Sequence, residues 1–142
     1  MVQYLSSVPH KLQCMSVHVL NEQPVHVIPG SSLVLKARMV QGPLEEISMV
    51  TWEREPETGI DLVRVTLATC PGSSLKCPGS RPNVHVNMEQ QETTLQINGY
   101  SRADSGVYAV TVTDRTGANT TAHCIIREYG TVRCPACENF FK

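Results

Sequence analysis

Aromatic residues are scarce in this chain, charge is low, and the motifs of the common enzyme classes are missing. Of 142 residues, 5% are aromatic, including a single tryptophan, and 18% are charged, with a formal net charge of −1. That balance gives no basis for a nucleic-acid partner or an anionic membrane surface. No apolar run approaches the roughly 18 residues needed to span a bilayer, so no membrane span is expected in this chain. There is no glycine-rich phosphate loop, no HExxH pair and no GxSxG elbow. The five histidines, His10, His18, His26, His85 and His123, are scattered, four of them within alternating strand patterns and none beside a nucleophile. Glu45 and Glu46 belong to a loop, whereas Glu53 and Glu55 alternate outward from Trp52, so solvated faces explain both carboxylate pairs. Neither an enzyme nor a cofactor or metal site is expected. The opening MVQYLSSVPHKLQC lacks the continuous apolar core of a secretory signal, because Pro9, His10 and Lys11 interrupt it. An extracellular form is therefore expected to have lost a signal peptide or to start differently.

Short apolar runs alternating with polar residues, punctuated by glycine, proline, serine and asparagine, make up most of the chain. Its length suits one domain with some tail. Residues 1–14 are expected to be a loose N-terminal segment, 15–128 the domain, and 129–142 a C-terminal tail. MSVHVL and PVHVI read as an edge strand in two pieces, with Pro24 tolerated at an edge. LVLKARM places Leu33, Leu35 and Ala37 on one face. MVTWERE, DLVRVTLA, NVHVNM, TTLQI, GVYAVTV and TTAHCIIRE continue the series, and DRTG supplies a tight hairpin turn. EPETG reads as the turn after MVTWERE, and CPGSSLKCPGS, residues 70–80, reads as turn chemistry throughout. The spacing of runs and turns predicts an all-β sandwich.

Six cysteines allow fifteen pairings. Cys70 and Cys77 flank a short Pro/Gly/Ser loop, where a local bridge would staple an insertion, the alternative being two free thiols. Cys124 lies within a strand and would meet Cys14 if the N-terminal segment ran beside it; equally, it would serve as a small buried hydrophobe. Cys134 and Cys137 form a CPAC motif, but no strand-to-helix context for a redox pair and no second pair of zinc ligands accompany it. Asn119, Thr120 and Thr121 form an N-glycosylation sequon at a hairpin.

The stretch LQINGYSRADSGVYAVTV, residues 95–112, gives the sequence its kinship. Asp104, Gly106 and Tyr108 resemble the corner motif of the immunoglobulin superfamily, whose tyrosine hydroxyl bonds back to upstream backbone. Val110 stands where that pattern carries a cysteine, Ala37 stands at the other cysteine position, and Trp52 suits the tryptophan that packs against the pair. The chain thus resembles a V-set-like domain lacking the central disulfide, similar to the lymphocyte adhesion (SLAM-like) and hepatocyte cell adhesion molecule type of cell-surface domains. The resemblance implies an immunoglobulin V-like two-sheet antiparallel Greek-key sandwich. Its core would hold Ala37, Trp52, Leu95, Tyr108 and Val110, and a structural salt bridge would join Arg81 to Asp104.

The same resemblance implies an extracellular protein, at the cell surface in a longer membrane-anchored product or secreted. Its ligand would be a protein, another immunoglobulin-superfamily domain, bound homophilically or heterophilically through the sheet the family letters G, F, C and C′. Outward residues there are Thr51, Glu53, Glu55, Thr111 and Thr113, joined by Arg64 and Arg115 if they also point out. The alternative is a soluble or splice-truncated decoy form, favoured by the missing span and the cysteine-bearing tail.

Overall fold

The computed structural model describes residues 15–42, 45–55 and 64–129. The segment ending at Cys14, the turn around residues 56–59 and the tail with Cys134 and Cys137 lie outside the described residues. The chain is all-β. Among the described residues ten strands run as β1 (Ser16–Val19), β2 (Val25–Val27), β3 (Leu33–Val40), β4 (Ile47–Glu55), β5 (Val65–Pro71), β6 (Lys76–Pro78), β7 (Val84–Met88), β8 (Glu92–Ile97), β9 (Gly106–Asp114) and β10 (Asn119–Glu128), with one 3₁₀ turn at Arg102–Asp104. They form two five-stranded sheets, ordered β2-β10-β9-β4-β5 and β1-β3-β8-β7-β6. Every pairing is antiparallel except β10 with β2.

The strict alternation of β3, with Leu33, Leu35, Ala37 and Met39 buried and the residues between them exposed, sets one inner face. Val50 and Trp52 of β4 and Tyr108, Val110 and Val112 of β9 supply the facing layer. A period of two leaves each strand with one apolar side, and the two apolar sides close on each other.

The first strand divides between the sheets. β1 pairs with β3 and β2 pairs with β10, so the chain crosses from one sheet to the other between Leu20 and Pro24. At the opposite lateral edge the crossing is covalent. Cys70 of β5 is bonded to Cys77 of β6, with Cα atoms 5.9 Å apart, and both residues are buried. The stretch 70–80 is therefore not all turn, as its Pro, Gly and Ser content suggests. Cys70 closes one sheet's edge strand, and Lys76–Pro78 forms a short edge strand of the other, paired to His85–Asn87.

The turn from β8 into β9 is pinned by side chains. The Tyr108 hydroxyl donates to the Asp104 carbonyl at 2.5 Å, and burial raises the phenol's pKa. Arg81 Nη2 lies 2.9 Å from Asp104 Oδ1, while Asp104 Oδ2 accepts the Ser101 N–H at 3.0 Å. Gly106 is required here. Its φ is +150°, and a Cβ would stand 2.4 Å from the Glu55 carbonyl oxygen on the neighbouring strand.

Candidate recognition face

The outer side of the β2-β10-β9-β4-β5 sheet carries the residues singled out as partner-binding. Register puts Thr121, Thr111, Thr51 and Thr69 in one row across four strands. Thr111 and Thr121 hydroxyls lie 2.9 Å apart. In the next row Thr113 donates to Asn119 Oδ1 at 2.8 Å, so the sequon asparagine sits on this face beside Thr113. Ala109, outward by alternation, is nonetheless buried, lying between Glu53 and His123 in register. Its single methyl is too short to rise above those longer neighbours.

The charged residues stand at two ends of the face. At one end Arg64 Nε donates to Glu55 Oε2 at 2.8 Å, Nη2 also reaches that oxygen, and Nη1 reaches Glu53 Oε1 at 3.3 Å. Its hydrogen bonds to the Glu55 carboxylate, and that carboxylate's charge, push the Arg64 guanidinium pKa above its ordinary value. At the other end Arg115 Nη2 lies 3.0 Å from Glu46 Oε2. Thr51, Glu53, Glu55, Thr111 and Thr113 thus share one surface, and Arg64 and Arg115 border it. The pairing of each arginine with a carboxylate of its own chain was not legible from spacing, since nine or more residues separate the partners.

Asp114 ends β9 and organises the hairpin. Its Oδ1 accepts from the Thr116 amide at 2.8 Å, the Thr116 hydroxyl at 2.7 Å and the Ala118 amide at 3.0 Å. The Thr116 hydrogen bond, with the backbone donors behind it, holds the carboxyl below its ordinary value. Gly117, with φ +93°, completes the turn that presents Asn119.

A further feature escaped the sequence reading. Residues from four connections, Gln41 with Glu45 and Glu46, 71–75, Glu89 with Gln90, and Arg115, gather at one end of the sandwich. Between them opens a cleft of about 910 Å³ lined by Met39, Glu45, Ile47, Leu75, Met88 and Glu89, among others. One carboxylate oxygen of Glu45, Oε1, is buried there without a hydrogen-bond partner among the described residues. Separate turns converge only in three dimensions, so no single segment carried this signal.

Cys124 faces inward from β10 with a free, buried thiol, and the partner considered for it, Cys14, lies outside the described residues. Burial pushes its pKa up to about 11. Among the described residues no group of three or more His, Cys, Asp or Glu side chains is arranged to hold a metal ion.

Together these features define a two-sheet all-β sandwich with one hydroxyl-rich sheet face bordered by ion pairs. Comparison with protein-family models and with curated proteins returns no match for the sequence.

Proposed function

We propose that this chain is an extracellular immunoglobulin V-like recognition domain that binds a protein partner through the outer face of the β2-β10-β9-β4-β5 sheet. The layout of that face is the observation that carries the proposal. A charge-poor centre of four threonines is flanked by Arg64–Glu53/Glu55 at one end and Arg115–Glu46 at the other. Protein interfaces have this anatomy, with charges depleted at the centre and polar groups at the rim. Threonine is stiff at χ1, so a row of threonines loses little side-chain entropy on docking. The rim charges would set orientation and partner choice more than affinity.

Support for the immunoglobulin kinship comes from the Tyr108 to Asp104 bond, the Arg81–Asp104 pair and the division of the first strand between sheets. The pairing of β4 with both β9 and β5 is the arrangement expected of the recognition sheet in that kinship. Sedimentation of the purified glycosylated domain at high concentration, with clustering of beads coated with it, tests the homophilic form. Concentration-dependent dimers and clustered beads are expected; a monomer that leaves beads dispersed removes homophilic adhesion.

A further inference from the structure

The opposite sheet has a different electrostatic character. Facing outward from β1-β3-β8-β7-β6 are Lys36, Arg38 and Lys76, with His18 and His85, all exposed. These strands contribute one carboxylate, Glu92, in register with Arg38. Among the described residues, no ion pair joins Lys36, Arg38 or Lys76 to a carboxylate; Arg64, Arg81, Arg102 and Arg115, which are paired, stand on no strand of this sheet. Lys36, Arg38 and Lys76 are therefore unpaired cations on one flat face of a chain whose overall charge is −1.

Register arranges them in a usable way. Lys36, Thr94, Asn87 and Lys76 form one row across β3, β8, β7 and β6. Three inter-strand steps set the two lysine stems about 14 Å apart. Gln96 and His85 lie in the adjoining row, and beside them a shallow cleft of about 450 Å³ is lined by Lys76, Pro78, His85, Asn87 and Gln96. The row offers a cation, a hydroxyl, an amide and a second cation in line.

We propose that this face binds a linear sulfated polysaccharide laid across the strands. Lys36 and Lys76 pair with sulfates at either end of the row, and Thr94 and Asn87 hydrogen-bond the sugar hydroxyls between them. Exposed cations that have no partner in the free protein give up no ion pair on binding, and each one placed on a linear polyanion releases condensed counterions. A lipid surface fits less well. It would use the cations but not the amide and hydroxyl between them, and the exposed apolar residues within the strands, Val34 and Val40, are short. A single-stranded nucleic acid would want aromatic platforms, and these strands place none on this side. A second copy of the chain offers no matching free acidic row on its other sheet, because Arg64 holds Glu53 and Glu55, and Arg115 holds Glu46.

The site lies on the sheet opposite the proposed protein-binding face, and its probe is a polysaccharide, so either reading can fail alone. The test is binding of the folded domain to immobilised heparin, with K36Q, K76Q and the double variant. R102Q, which removes one positive charge outside both sheet faces, is the charge-matched control. Heparin binding that weakens with salt is expected. Each lysine variant should lower affinity about two- to fivefold, and the double variant more than either. R102Q and the wild type should bind alike, with chemically desulfated heparin and phosphatidylserine vesicles retaining little protein. Unchanged thermal melts would show that the lysine variants are folded. The proposal is overturned if heparin does not bind, if R102Q weakens binding as much as K36Q, or if vesicles or a single-stranded oligonucleotide bind as tightly as heparin.

Discussion

Trp52 on one sheet donates its indole N–H to the hydroxyl of Thr93 on the other, across 3.1 Å of fully buried core. Trp52 is in register with Val110, and Thr93 with Ala37. The bond therefore ties the Trp52–Val110 pair of one sheet to the Thr93–Ala37 pair of the other. A polar bridge thus links the two sheets through their buried centre.

Removing the acceptor isolates this bridge. Thr93→Val keeps the shape and leaves a buried N–H unpaired, at a cost of about 1–3 kcal/mol. Urea denaturation followed by tryptophan fluorescence reads the effect directly, since Trp52 is the only tryptophan. An unchanged midpoint would mean the hydrogen bond contributes nothing.

The same cross-sheet tie predicts that a disulfide can be built beside it. Ala37→Cys with Val110→Cys should oxidise to one new bridge, found by mass spectrometry, and stabilise the fold by about 2–4 kcal/mol. Two reactive thiols in the folded double variant would contradict the facing of these strands.

Closure of the lateral edge rests on Cys70 and Cys77. Replacing both with alanine should cost about 2–3 kcal/mol for so short a loop, and should raise amide exchange first in Lys76–Pro78, which has few other ties. Cys124 should behave oppositely. Buried and with a pKa near 11, it should resist alkylation at neutral pH until the domain unfolds.

The Asp114 turn should loosen in acid. The carboxyl's pKa is depressed in the folded state, so its stabilisation is present above the unfolded carboxylate value and is lost as pH falls through the lower folded value. After correction for intrinsic exchange, protection of the Thr116 and Ala118 amides should drop across that acid window. In Asp114→Asn the drop should be absent.

The strands whose apolar residues alternate were legible in the sequence because burial largely decides them: Leu33–Val40, Val84–Met88, Glu92–Ile97 and, with Ala109 as the one break in the pattern, Gly106–Asp114. So were Trp52, Leu95 and Tyr108 as core residues, each buried to 1% exposure or less. Lys76–Pro78 was not, since three residues carrying a proline have no readable period and depend on pairing to β7 and the bond to Cys70. The change of sheet between Leu20 and Pro24 was seen only as an interruption, because sequence shows where a strand breaks but not which neighbour each piece takes. The outer face was legible as a set of residues. Its ion pairs, the Trp52–Thr93 bond and the end cleft depend on cross-strand and cross-loop register, which one sequence does not display.

The most direct test of the recognition face is adhesion of domain-coated beads to one another and to a panel of cells displaying immunoglobulin-superfamily ectodomains. Three proteins should be compared, each checked for an unchanged melt: wild type, Thr111→Arg in the centre of the threonine row, and the K36Q/K76Q double variant on the opposite sheet. Wild-type beads are expected to adhere to each other or to a subset of the panel. Thr111→Arg should abolish that adhesion, and the lysine variant should retain it. Adhesion that survives Thr111→Arg, or that no wild-type bead shows, would contradict a recognition face on the β2-β10-β9-β4-β5 sheet.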